Sequence, residues 1–418
     1  MKILATVFLA FFAGSVLADF PAWSDRELRV LQSFNIENLG PAPEQPSNRY
    51  ADNKDAATLG KQLFFDKRLS VNGELSCASC HVPALHYTDG KPRGVGVNTT
   101  GRNTMSVVGS AHQRWFYWDG RRDSLWAQAI TPIETVGEMD SNRTDAVRFI
   151  AEHQQYSKAY TALSPGDASV FSELADRARF PTGASPFGSG KRAWYRMSQA
   201  DQFAINSAYA TLGKIIASFE ATLVHRASKF DQFAHELSSS AEAPGEKTLV
   251  SEPALNPNEQ AGLKLFLDLP KTQCLRCHNG ALFTNHGFHN VASAEGEKTG
   301  HDFGRMLGLQ AVIVDPFNCS GEFSDASADD CSHLMFARRQ NLANTIDGAF
   351  KVPGLRNLKN TAPYFHDGRF ANLKDVVDHY RNQGGAAKDR QKLRASEVPD
   401  IELTDSERDQ LVEFLNTL

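Results

Sequence analysis

Long apolar runs, cysteine, a basic excess and low-complexity tracts are all scarce in this 418-residue chain. Beyond the N-terminus no stretch approaches the roughly 18 apolar residues of a membrane-spanning helix, so no internal membrane span is expected. Lys and Arg (44) are outnumbered by Asp and Glu (49), for a formal net charge of −5. That balance argues against a nucleic-acid partner, which needs a basic stripe. Strand-like segments are also few, and Ala311 to Val314 is a short apolar candidate. What remains is an ordinary globular composition, 41% hydrophobic and 22% charged, on a chain long enough for two domains.

The first residues read as an export signal. Lys2 gives a positive start, Ile3 to Ala13 a short apolar core, and Val16-Leu17-Ala18 small residues for cleavage. The expected mature chain begins near Asp19 and, without Lys2, carries a net charge one lower, −6. Export implies a periplasmic, oxidising setting in which spare thiols pair. Of the six cysteines, Cys319 and Cys331 are the spare two, and a disulfide between them would close the polar loop Ser320 to Asp330.

The other four cysteines stand in Cys77-Ala78-Ser79-Cys80-His81 and Cys274-Leu275-Arg276-Cys277-His278. Cys-x-x-Cys-His is the signature of covalent haem attachment. Two thiols bond to the porphyrin, and the adjacent histidine is placed under the iron. Zinc would gather four ligands in one place, not two triplets far apart. Two c-type haems are therefore expected, with His81 and His278 as proximal ligands.

The surroundings of the two motifs repeat. Gly60-Lys61-Gln62-Leu63-Phe64-Phe65-Asp66 resembles Gly262-Leu263-Lys264-Leu265-Phe266-Leu267-Asp268, and Trp118-Asp119-Gly120-Arg121 with Leu125 echoes His366-Asp367-Gly368-Arg369 with Leu373. An internal duplication follows, one haem per half. A leader spans 19–48, a first domain 49–246 and a second 247–418, with the boundary in the Ser-, Glu-, Pro- and Ala-rich run Ser238 to Pro257. Helices are expected at Ala57 to Phe65, within Asp201 to Leu237, and at Leu373 to Asn382. The expected fold is mostly α: two cytochrome c-like domains with long loops and little β.

Two further blocks resemble those of the di-haem cytochrome c peroxidases and the related MauG proteins. The first runs Arg102-Asn103-Thr104, Trp115 through Arg121, Gln128, Pro132 and Glu138-Met139. The second runs Phe350 through Asn357 and Thr361-Ala362-Pro363-Tyr364-Phe365-His366-Asp367-Gly368. With both Cys-His motifs, the likeness covers Leu59 to Leu418. It implies that Trp118 bridges the haems for electron transfer. It also implies that Gln128 and Glu138 lie on the distal side of the first haem, where a carboxylate can move a proton during peroxide cleavage, and that Pro132 shapes that pocket. Asn103, Thr361 and Pro363 match positions whose oxygens hold one Ca²⁺.

Two departures separate branches of that family. Reductively activated peroxidases carry a capping histidine after the first motif. Here none lies between His86 and His112, and the matching stretch reads Gly94-Val95-Gly96-Val97-Asn98. Those peroxidases also place a methionine fourteen residues after the histidine of His-Asp-Gly; here that residue is Tyr380, and no methionine follows Met335. MauG-like proteins have a tyrosine at this site, which makes Tyr380 the expected distal ligand of the second haem. His379 is the alternative, turned about 100° away on a helix.

The resemblance thus implies a MauG-like enzyme. It would use hydrogen peroxide to reach a high-valent di-haem state and then oxidise a periplasmic protein partner. Loops like the one between Cys319 and Cys331 occur in the MbnH-like subgroup, whose partner is modified at tryptophan. The alternatives are a conventional peroxidase drawing electrons from a small cytochrome or cupredoxin, and a non-enzymatic di-haem carrier with His86 or His112 as sixth ligand to the first iron.

Overall fold

A computed structural model describes residues 21–241, 253–296, 300–340, 346–382, 396–398 and 401–418. The expected export signal and the expected boundary near residue 247 lie outside the described residues. Described structure is mostly helical; its strands form only two antiparallel pairs, Phe288–His289 with Phe350–Lys351, and Glu295–Gly296 with Gly300–His301. None of the described helices is long and apolar enough to cross a membrane.

The internal repeat is a three-helix unit. In the first copy Lys54–Phe65 starts at Asn53, whose side chain accepts from the Asp55 and Ala56 amides. It crosses the long helix Gln199–Glu220, begun by Ser198, and Leu125–Glu134 packs on the same long helix. In the second copy Pro257–Leu267 begins with an Asn256/Glu259 capping box and crosses Asp405–Leu415, which has a Thr404/Glu407 box. Leu373–Arg381 then takes the place of Leu125–Glu134. The repeated glycines make both crossings possible. A Cβ on Gly60 would sit 2.2 Å from the Ile215 carbonyl oxygen, and one on Gly262 1.9 Å from that of Gln410.

Each unit has its own apolar core. The first gathers Leu59, Leu63, Phe64, Trp126, Ile130, Ile205, Leu212 and Ile216; the second gathers Leu263, Phe266, Phe283, Val377, Leu411 and Phe414. Each fully buried side chain of this size stabilises the fold by about 1.5–3 kcal/mol. The leader is not a passive tail, because Leu28, Leu31 and Phe34 of its helix Asp25–Phe34 enter the second core.

The periodic stretch Asp201 to Leu237 is helical as expected, in two pieces: it breaks at Ala221–Ser228 and resumes as Lys229–Ala241. The second piece sends Phe230, Phe233 and Leu237 into the second core, so the packing changes sides before residue 247. One expectation needs correction. Ala311 to Val314 is no strand but the last turn of the helix Arg305–Val314. Leu309 and Val312, three residues apart, share its buried face against Leu334 and Ala337, which is the helical period. Cys319 and Cys331 are disulfide-bonded within that small third cluster, with Cα atoms 5.6 Å apart.

Candidate active site

The histidines of the two Cys-x-x-Cys-His motifs are held alike. His81 points Nδ1 at the Tyr87 carbonyl oxygen, 3.1 Å away, and His278 points Nδ1 at that of Phe283, 3.0 Å away. With the Nδ1 proton donated to a carbonyl, Nε2 carries the lone pair a metal needs. Burial lowers the pKa of both imidazoles, that of His278 to about 4, so both are neutral and ready to ligate. All four motif cysteines are partly buried and stand apart from the Cys319–Cys331 disulfide. The second motif also opens onto a large cavity walled by Phe266, Leu282, Val377, Leu411 and Leu415. The second motif thus has room and ligands for a haem, and the first presents the same histidine arrangement.

Near the first motif the chain brings together several buried polar groups. Pro132 lies within Leu125–Glu134 and has no N–H to give the Gln128 carbonyl one turn back. That carbonyl instead accepts from the Tyr117 hydroxyl at 3.3 Å. The side-chain oxygen of Gln128 is buried without a hydrogen-bond partner, as expected of a group aimed at an incoming ligand. Glu138 follows on the loop after this helix. Burial raises its pKa, with the Arg121 charge opposing. Its charge in turn reaches Cys77, Cys80 and Tyr117, so Glu138 lies near the first motif. The Arg121 guanidinium lies 3.5 Å from the centre of the Tyr117 ring.

The stretch that lacks a capping histidine is tied to this loop. Val97 N–H donates to the Glu138 carbonyl at 2.8 Å and Asn98 N–H to that of Gly137 at 3.0 Å. Gly96 runs so close that a Cβ there would lie 2.3 Å from the Glu138 carbonyl oxygen. His112 ends the turn Ser110–His112, and its charge reaches His225 and His286 beside the second site. The His86 carbonyl accepts from Ser106.

Trp118 joins the halves. Its indole N–H donates to the Asn103 carbonyl at 3.1 Å, its own carbonyl accepts from Lys351 N–H at 2.8 Å, and it lines the second cavity. Asn103, Thr361 and Pro363 line the same cavity, and Asn103 N–H donates to the His366 carbonyl. The duplicated turns are superimposable in kind. Phe116 pairs with Arg122 as Tyr364 pairs with Phe370, and Tyr117 and Phe365 both take positive φ, 68° and 71°. Around Trp118, Arg102 bridges Asp119 at 2.6 Å and Asp302 at 2.8 Å.

The neighbours Tyr380 and His379 have different surroundings. Tyr380 is on the wall of the cavity that holds Cys274, Cys277 and His278, and its phenol is raised in pKa by burial. His379 gives its Nε2 to the Val291 carbonyl at 2.8 Å and packs edge-on against Phe365. Sequence reading passed over three residues here. Tyr117 was hidden inside the Trp115–Arg121 block. Glu220, buried with an unpartnered carboxylate oxygen and a pKa raised to about 8, sits where its charge reaches Cys77. Lys351 is taken up below. Tyr117 and Lys351 both fall inside blocks that carry the family resemblance, whereas Glu220 falls in none.

Comparison with known proteins agrees with this two-site architecture. A family model described as di-haem cytochrome c peroxidase matches residues 54–181. The methylamine utilization protein MauG of Methylorubrum extorquens is 31% identical over 366 residues, covering 87% of this chain and 78% of that protein. The cytochrome c551 peroxidase of Nitrosomonas europaea is 29% identical, covering 78% and 73%. Among solved structures, the diheme peroxidase BthA from Burkholderia thailandensis aligns with a TM-score of 0.60 at 20% identity over 90% of this chain and 89% of that one, a likeness of fold. The chain belongs to the di-haem cytochrome c peroxidase family, which includes MauG. It is an oxidoreductase enzyme of a family that works with two c-type haems.

Proposed function

We propose that this enzyme is of the MauG kind: it spends hydrogen peroxide on oxidising a protein partner, at tryptophan by analogy with the MbnH-like subgroup. The observation that carries the reading is Tyr380 on the wall of the second cavity, beside Cys274, Cys277 and His278. In this reading Cys77 and Cys80 attach one haem and Cys274 and Cys277 the other, with His81, His278 and Tyr380 as iron ligands. Bound there, the haems would supply redox-active iron for the reaction with peroxide. The protein's share is acid–base work and positioning. Glu138 takes the peroxide proton and returns it to the departing oxygen, Gln128 offers its side-chain amide to the incoming molecule, and Pro132 frees the Gln128 carbonyl for Tyr117. Trp118 lies between the halves as the route for charge.

A phenolate is a hard anionic donor that favours oxidised iron and lowers its potential. A second haem so tuned accepts poorly from an ordinary cytochrome, which sets this enzyme apart from a conventional peroxidase. Asn103, Thr361 and Pro363 are proposed to hold one Ca²⁺ where the halves meet. Export to the periplasm and one haem-bearing domain on each side of residue 247 complete the proposal.

Donor-fed turnover tests it. With reduced cytochrome c or a reduced cupredoxin, peroxide consumption is expected to be slow relative to the peroxide reaction of the isolated enzyme. Rapid steady turnover on either donor would assign the conventional activity instead.

A further inference from the structure

The cavity beneath His278 is charged in one direction only. No Asp or Glu is among its described lining residues, yet Lys351, His225, His286, His289 and Arg356 are. Two of these basic residues are already matched elsewhere. Arg356 is paired with Asp231 at 2.7 Å and His289 with Glu397 at 2.7 Å. Lys351 is not. It is buried, 4% exposed, and among the described residues its ammonium donates only to neutral oxygens, the Gln113 side chain and the Trp115 carbonyl at 3.2 Å. Burial lowers its pKa to about 7. The nearby His286 is lowered to about 4 by burial and by the Lys351, Arg114 and His112 charges. Buried ammonium groups are costly without a counter-charge, and a fold that keeps one in a ligand cavity implies that the ligand brings the anion.

A c-type haem brings two propionate carboxylates, and after both thiols have reacted these remain its only charged periphery. We infer that Lys351, with Gln113 beside it, is the anchor for a propionate of the haem carried by Cys274, Cys277 and His278. The inference rests on haem attachment at that motif, as proposed above. It gives the anchor a second consequence. The Lys351 N–H donates to the Trp118 carbonyl, so one residue fixes both the haem edge and the backbone of the bridging tryptophan. Lys351 is a positioning residue that sets the separation and the local charge between haem and indole.

The test uses the holoenzyme and its Lys351→Met and Lys351→Arg variants. Haem content comes first, by the pyridine haemochrome assay. Fewer than two haems per wild-type chain would overturn the attachment reading itself. With two haems present, each potential is measured by spectroelectrochemistry and the propionate bending bands by resonance Raman. Removing a cation from a haem edge stabilises the oxidised state. In Lys351→Met one potential is therefore expected to fall while the other holds, with a matching shift in one set of propionate bands. Lys351→Arg is expected to keep the potential near that of the wild type while shifting those bands, because the donor geometry changes. Two haems in Lys351→Met with both potentials and all bands unmoved would overturn the inference. If the methionine variant does not take up haem, the arginine variant decides: bands identical to the wild type mean that the side chain does not touch a propionate.

Discussion

Glu138 draws its chemistry from burial. With its carboxyl shielded and only the Arg121 charge opposing, its pKa lies above the ordinary glutamate value, which moves a proton-transfer group toward its working range. Peroxide reactivity should therefore fall on acidification as Glu138 takes up a proton, with a midpoint above that of a solvent-exposed glutamate. Glu138→Gln is expected to slow the reaction about 100- to 10,000-fold and to flatten that pH profile; stopped-flow rates across pH check both. Full reactivity in the variant would remove Glu138 from the mechanism. Tyr380 is testable in the same way. Tyr380→Phe is expected to change the ferric spectrum of one haem and to raise its potential, and an unaltered ferric spectrum would rule the phenol out as a ligand.

The helix crossings turn a repeat in the sequence into an architecture. Gly60 and Gly262 occupy equivalent places, and at each the partner helix backbone fills the space of a Cβ. Neither crossing can yield by rotating a side chain. Gly262→Ala is therefore expected to destabilise the second core by about 1–3 kcal/mol or more, read as a lower melting temperature with haem retained; an unchanged melting curve would contradict the crossing. The glycines were legible as a repeated motif, as were the Cys-x-x-Cys-His pairs, because both are local. The break between Glu220 and Lys229 was not, since apolar spacing continues across it. The one local hint is Ser228-Lys229-Phe230-Asp231, where Ser228 caps the new helix and Asp231 answers its amide. The resemblance already favoured Tyr380 over His379; the packing adds that His379 Nε2 is engaged by the Val291 carbonyl, which no local pattern reveals.

For the molecule as a whole, one ion pair ties three separate segments together. Arg356 pairs with Asp231 with both side chains at most 3% exposed, and it also donates to the Phe34 carbonyl of the leader and to that of Ala281. Asp231 accepts in turn from Ile36 N–H. Removing one partner of such a buried pair costs about 3–5 kcal/mol, so Asp231→Asn is expected to lower stability by that order in denaturant melts. Burial works against the Asp231 carboxylate, but Arg356 overcomes it and holds its pKa below the ordinary value. Its stabilisation is therefore complete above the unfolded aspartate pKa and is lost as pH falls through the lower, folded value. In the Asn variant that part of the acid sensitivity should vanish.

The central claim is that the first site stands open without prior reduction, while the second is tuned by Tyr380 to share the oxidising charge. The most direct measurement adds one equivalent of hydrogen peroxide to the fully oxidised protein and follows its visible and near-infrared spectrum. A fast change to a long-lived oxidised species is expected, since Gly94–Asn98 supplies no capping histidine. No reaction until one haem has been reduced would contradict the claim and place the enzyme with the reductively activated peroxidases.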